Sequence, residues 1–325
     1  MSAAGANPVL VEVVRGDLVE SVHRGRVAVV GPHDAVAGIG AIEELIYPRS
    51  ASKPMQAVAM LRSGLDLTGE LLALAAASHS GEDFHLEGVQ TILAGCSLGV
   101  DRLQNTPGYP LDDAARDAWI RAGHGPAPIT MNCSGKHAAM LRTCIRNKWS
   151  TTNYLDPEHP LQQAIHDTIA DLTGEPPQAG TVDGCGAPLW ALTPIALARA
   201  YARIAVAADG PAAAVARAYR QFPQWVSGTR RAEYALHRGV PGIICKIGAE
   251  AVYAVGLPDG RGIVVKIDDG SERACSVVMS AVLRRLGIRA DVLAAQASEP
   301  VLGHGRPVGE VRLAAGAVDG LTAYS

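Results

Sequence analysis

Ser50-Ala51-Ser52-Lys53 places a serine and a lysine three residues apart, a spacing that puts both side chains on one face of a helix. A serine hydroxyl is a weak nucleophile until a base takes its proton, and a lysine serves as that base when burial or neighbouring cations lower its pKa. Such a pair can attack a carbonyl carbon. The same residues also form an ordinary helix start, in which Ser50 or Ser52 caps the helix, Pro54 occupies the first turn and Lys53 points into water. Taken alone, the local pattern favours the ordinary start.

Two later motifs shift the weight towards chemistry. Ser78-His79-Ser80-Gly81-Glu82 closes an alanine-rich helical stretch, and Lys246-Ile247-Gly248 lies in a strand-like run. Ser-x-x-Lys, a serine loop and a strand-borne Lys-Thr-Gly follow in this order in serine acyl-transfer enzymes of the penicillin-binding and β-lactamase type; here Ile247 replaces the threonine. On that reading Ser50 attacks, Lys53 takes and returns the proton, and Ser78 with Lys246 serves the leaving group. Backbone amides at the start of the Ser50 helix would hold the oxyanion. Glu82 and Asp83 either recognise a substrate amino group or form the acidic first turn of the next helix. His79 and His137 are assigned supporting roles, since a lone histidine is more often a satisfied hydrogen-bonding group than a catalyst.

The stretches Asn132-Cys133-Ser134-Gly135-Lys136-His137 and Asp183-Gly184-Cys185-Gly186-Ala187-Pro188 are dense in small and polar residues and read as site loops. Cys133 and Cys185 could each present a thiolate to zinc. Equally, they could be small buried hydrophobes beside a helix cap and a turn, and neither has C-x-x-C spacing. Cys96, Cys144 and Cys275 fall on apolar helix faces, while Cys245 faces the opposite side of its strand from Lys246. Six cysteines scattered over so long a chain do not suggest a disulfide scaffold.

The elements that must position these groups follow from periodicity. Residues 9 to 47 read as strands (9–16, 18–23, 25–31 and 35–47), with a turn at Gly16-Asp17. Residues 50 to 220 turn to helical spacing, and residues 242 to 267 return to three strands before a final helix over 271–287. An α/β (α+β) fold results, with an antiparallel sheet built from both chain ends and flanked by helices. One domain over residues 1–325 is the simplest account, with a flexible lead over residues 1–8. The run Leu189 to Ala208 is interrupted by proline and two arginines, too polar for a membrane span, and reads as a buried helix pair. The 48% hydrophobic content supplies a large core, and a net charge of -3 with mixed signs leaves no basic stripe for nucleic acid or an anionic membrane. The first residues lack a basic lead and an apolar run, which points to a cytoplasmic chain.

Together the motifs resemble the L-asparaginase II family, the inducible, thermolabile rhizobial-type asparaginases, from about residue 9 to 288. Asn132 to His137 and Asp183 to Cys185 are the most specific pieces. The resemblance implies hydrolysis of L-asparagine to L-aspartate and ammonia, a serine β-lactamase/glutaminase-like fold and a homodimer. It maps two Ser-Lys pairs onto Ser50 with Lys53 and Ser78 with Lys246, and a zinc ion onto Cys133, Cys185 and Lys136. Arg49, His79, Ser80, Glu82, Asn132, His137, Asp183 and Gly248 are the expected substrate contacts. Some members carry a further cysteine within the stretch matching Gly228–Tyr234; this chain has none. A serine glutaminase, another amide or β-lactam hydrolase, and a non-catalytic zinc or amino-acid binder are the alternatives.

Overall fold

The computed structural model describes residues 7–321. Of the expected flexible lead, residues 1–6 lie outside the described residues. Among the described residues the strands are β1 (Val9–Arg15), β2 (Leu18–Val30), β3 (Val36–Ile39), β4 (Gln178–Val182), β5 (Pro188–Ala191), β6 (Ile244–Gly248), β7 (Val252–Gly256), β8 (Gly262–Ile267), β9 (Ser298–Gly303) and β10 (Arg306–Leu313). The α-helices are α1 (Lys53–Arg62), α2 (Gly69–Ala75), α3 (Asp83–Ala94), α4 (Asp113–Arg121), α5 (Ser134–Asn147), α6 (Pro160–Thr173), α7 (Pro194–Val206), α8 (Gly210–Gln221), α9 (Pro223–Val226), α10 (Ala232–Gly239), α11 (Cys275–Arg285) and α12 (Asp291–Ala295).

The chain folds into two compact units. The first takes the residues up to Ala51, Leu192–Val206 and those from Ala235 onward. Its eight-stranded sheet runs β6-β7-β8-β2-β1-β10-β9 with β3 added against β2, and every pairing is antiparallel. The expected sheet from both chain ends is therefore present. Its core gathers Val11, Val13, Val27, Val29, Ile263 and Val265 with Val278 and Val282 of α11. Helix α7 lies on β2, β7 and β8, and it comes close because Gly262 and Gly256 carry no Cβ to strike the carbonyls of Ala198 and Tyr201.

Three strand expectations change. The two strands expected over 18–23 and 25–31 are one, since Gly25 does not break the ladder; it admits the Lys266 carbonyl, which a Cβ would meet at 2.5 Å. The strand expected over 35–47 stops at Ile39, where Gly40 takes φ +72, and only Ile46 returns to pair, with Leu192. The helix pair expected from Leu189 is one strand and one helix. Thr193 precedes Pro194, which disfavours a helical backbone there, and its Oγ1 accepts from Ala196 N at 3.0 Å to open α7.

The second unit takes Ser52–Ala191 and Ala207–Tyr234. It is helical apart from the β4–β5 hairpin. Helix α1 packs against α5, α6 and α8, and every residue from Lys53 to Met60 is buried. A helix enclosed all round cannot offer its first lysine to water. Among the described residues no helix is long and apolar enough to cross a membrane.

Candidate active site

Lys53, the first residue of α1, is 1% exposed. Its Nζ donates to Ala77 O at 2.5 Å, Ser78 Oγ at 2.9 Å and Cys133 Sγ at 3.1 Å. Those three acceptors match the three hydrogens of an ammonium, and they dispose of the solvated lysine. Ser78 follows α2 and is pinned on both backbone sides: its N–H donates to Val226 O at 3.1 Å and its carbonyl accepts from Arg231 NH1 at 3.0 Å.

The neighbours of Ser78 act as fasteners. His79 Nδ1 accepts from Gly81 N at 3.1 Å, which leaves the ring proton on Nε2 to donate to Ser134 Oγ at 2.7 Å. Burial drives its pKa well below the usual histidine value, so the ring is neutral and ties the Ser78 loop to the start of α5. Ser80 Oγ donates to Ser227 O at 2.5 Å, and the Glu82 carboxylate accepts from Thr229 N at 2.9 Å and Thr229 Oγ1 at 2.7 Å. Arg230 forks onto Asp112. Residues 226–231 thus form a strap along the Ser78–Glu82 motif. Gly228 lets it seat, since a Cβ there would meet Ser80 Cβ at 2.6 Å and Glu82 Oε1 at 2.7 Å.

Cys133 and Cys185 are buried in one small cluster with Ala187. Cys133 caps α5, its thiol donating to Asn132 Oδ1 at 3.0 Å. Cys185 is presented by a turn in which Asp183 N donates to Ala187 O at 2.9 Å and Gly186 takes φ +90. Lys136 Nζ donates to Cys185 Sγ at 3.1 Å. The close approach of the two sulfurs pushes Cys185 far below the ordinary thiol value and Cys133 well above it. Burial opposes charge on Lys136, but Cys185, Cys133 and Asp183 together hold its ammonium above the usual value. His137 is pushed down to about 4 by burial; Nδ1 pairs with Tyr154 OH at 2.9 Å, and the buried Nε2 makes no hydrogen bond of ordinary length.

In the first unit, Ser50 lies in a 3-10 turn, Arg49–Ser52, that runs directly into α1. Arg49 adopts a left-handed φ of 49, Ala51 N donates to Pro48 O at 3.0 Å, and Tyr201 OH of α7 donates to Ala51 O at 2.8 Å. Gly248, at the end of β6, touches this turn: a Cβ there would meet Pro48 O at 2.6 Å, Ala51 N at 3.0 Å and Ser50 N at 3.1 Å. Its bare backbone is what lets the turn close on the strand. Lys246 is fully buried, with Nζ donating to Ile247 O at 2.9 Å among its bonds. Cys245 points to the other side of β6, as the alternation requires; its Sγ is 3.3 Å from Nδ1 of His237.

A family model described as L-asparaginase II matches residues 11–313. The chain belongs to the L-asparaginase II family. It is an amidohydrolase. No curated protein matches it. Among solved structures, Mglu in its native form is 17% identical over 87% of this chain and 69% of its own, with a TM-score of 0.45. A Bacillus glutaminase in 4.3 M NaCl is 12% identical over 80% of this chain and 90% of its own, at 0.44. A probable glutaminase from Bacillus subtilis, complexed with 6-diazo-5-oxo-L-norleucine, is 14% identical over 80% and 83%, at 0.35. The matched Mglu chains are covered over 59% to 69% of their length. At these TM-scores the likenesses bear on neither site nor substrate.

Within this L-asparaginase II chain the sequence motifs sort by unit. Lys53, Ser78 and Cys133 meet in the second unit, as do Lys136 and Cys185, while Ser50 and Gly248 meet in the first. Among the described residues no group of three or more His, Cys, Asp and Glu side chains could hold a metal ion. The two buried thiols with Lys136 supply two sulfurs and a nitrogen in one cluster, a donor set that suits zinc once the amine has lost its proton. Arg231, Thr229, Tyr201 and His237 were not found from the sequence. Thr229 and Arg231 fall within the Gly228–Tyr234 stretch, whose one sequence signal is that it carries no cysteine.

Proposed function

We propose that this amidohydrolase hydrolyses the side-chain amide of L-asparagine to L-aspartate and ammonia through an acyl-enzyme on Ser50. The observation that carries the reading is the Lys53 amine, buried at the head of α1 and hydrogen-bonded to Ser78 Oγ, on the helix that the Ser50 turn enters. Ser50 Oγ attacks the amide carbon and its proton passes to Lys53, which can act as base only after its ammonium gives up one of the three hydrogens it donates in the resting chain. The tetrahedral intermediate expels ammonia as the Ser78 hydroxyl relays a proton to the leaving nitrogen, and water then cleaves the ester. Lys246 gives a second cation for the substrate or leaving group. Ser80 and Glu82 hold the strap in the resting chain, so Glu82 reaches a substrate amino group by exchanging Thr229 for it.

Cys133, Cys185 and Lys136 would hold a zinc ion, which would supply a positive charge for orienting the substrate. Metal analysis is expected to find about one zinc per chain, lost in Cys133→Ser and Cys185→Ser; fully active metal-free protein would remove zinc from the chemistry. The family also suggests a homodimer, which light scattering checks.

Ser50→Ala is expected to abolish ammonia release from asparagine with the far-UV spectrum unchanged, and mass spectrometry of acid-quenched wild-type enzyme should locate the acyl group on Ser50. Retained turnover would overturn the assignment. Equal or better kcat/KM for glutamine would move the substrate and keep the chemistry.

A further inference from the structure

The last turn of α11 and the loop after it gather Arg284, Arg285 and Arg289 around a cavity of about 470 Å³, lined otherwise by Ala281, Leu313 and Val318. Basic residues are favoured at a helix C-terminus, where orphan carbonyls carry partial negative charge, and this accounts for Arg284 and Arg285. Arg289 lies beyond the helix and folds back onto the same end, NH1 donating to Arg284 O at 2.8 Å and Ile288 O at 3.2 Å. Arg285 is fixed as well, Nε donating to Leu321 O at 2.9 Å and NH2 to Asp319 O at 3.0 Å. Both guanidiniums thus use part of their donors on uncharged carbonyls and keep the rest.

Among the described residues no carboxylate lines the cavity and none of the three arginines forms an ion pair. All three arginines are exposed. Three like charges brought together repel one another, and a bound anion relieves the repulsion. The volume falls within the range of small-molecule pockets, about 300–1,000 Å³, and arginine forks match phosphate oxygens. Val318 is buried and Ala281 and Leu313 are half-buried, giving the cavity an apolar side.

We propose that this cavity binds a nucleotide-like anion, a small molecule joining two or more phosphate charges to a flat apolar ring. The phosphates would meet Arg284, Arg285 and Arg289, and the ring would lie on Ala281, Leu313 and Val318. The site is separate from the acyl-transfer motifs of its own unit. β10, which carries Leu313, stands five strands from β6, which carries Lys246, roughly 24 Å at about 4.8 Å per strand.

Titration calorimetry of the full chain with ADP as probe, in about 0.1 M salt, is expected to give one site with a Kd of about 1 mM or tighter. Arg284→Glu should weaken it at least about tenfold while leaving asparagine hydrolysis and melting temperature unchanged. Inorganic phosphate and adenosine should each bind more weakly than ADP. ADP that fails to saturate, or binds the variant equally well, overturns the proposal. Phosphate binding as tightly as ADP overturns it too, because the apolar side would then play no part. So does a duplex oligonucleotide captured in place of ADP. If Arg284→Glu melts lower, Arg284→Gln makes the same comparison. None of these outcomes depends on Ser50, so the binding site and the proposed hydrolysis stand or fall apart.

Discussion

Three acceptors around Lys53 Nζ hold the side chain in one place with its head between a hydroxyl and a thiol. A lysine so held has exchanged its water shell for protein oxygens and sulfur, so removing any one partner leaves a buried donor unmet. His85 shows burial acting on a titrating group. Its Nε2 faces Gln224 O at 3.0 Å, and burial pushes its pKa down to about 4. In the unfolded chain it protonates near 6.5, so as pH falls the unfolded state takes up the proton first. The stability contributed by neutral His85 is therefore complete above about pH 6.5 and is lost down to about pH 4, with about 2 kcal/mol gone by pH 5. His85→Gln keeps a donor for Gln224 O and cannot titrate. Urea denaturation at pH 7 and pH 5 should show an acid penalty smaller by about 2 kcal/mol in the variant; equal penalties would place the acid sensitivity in other groups.

At the scale of elements, the site depends on backbones brought close. Gly248 is the clearest case, because the atoms its missing Cβ would strike, Pro48 O, Ala51 N and Ser50 N, are all main chain and cannot rotate aside. Gly248→Ala must push β6 from the Ser50 turn or distort the turn, at a cost of roughly 1–3 kcal/mol of stability. Because misplacing a reacting group by about 1 Å can cost about 100-fold, kcat for asparagine should fall by that order while the protein stays folded. An unchanged kcat would show that the turn need not touch the strand. The sequence announced Gly248 through its place after Lys246, and it announced Ser78, Cys133, Lys136 and Cys185 through dense local motifs. It could not announce the strap. Ser78 N to Val226 O, Arg231 NH1 to Ser78 O and Ser80 Oγ to Ser227 O join residues about 150 positions apart, and in each the acceptor is a main-chain carbonyl that every residue possesses. Side-chain pairing was hidden for the same reason: spacing predicts that Lys53 meets what lies one turn away, whereas burial of α1 puts it against Ser78.

For the molecule as a whole, the sheet is closed by residues that gave little signal in the sequence. β9 and β10 follow the last helix that periodicity marked, and they carry prolines at 300 and 307, a glycine at 309 and mostly exposed side chains, so neither alternation nor β-branched density stood out. Their turn at His304-Gly305, where both residues take positive φ, was the available clue. Yet β10 pairs with β1 from Val11 to Arg15, and Val311, Val318 and Leu321 enter the same core as Val11 and Val13. The family match reaches residue 313, which includes this hairpin. A chain ending at Ala297 would therefore leave β1 as an open edge with Val11 and Val13 uncovered, the arrangement that invites strand addition from another molecule. Burial of Val311 and Leu321 alone contributes several kcal/mol, at about 1.5–3 kcal/mol for each side chain. The shortened chain is expected to melt roughly 10 °C lower or more and to aggregate on standing. Scanning calorimetry and light scattering at matched concentration measure both. Equal melting points would mean that β1 needs no partner on that side, and that the sheet is complete without its last two strands.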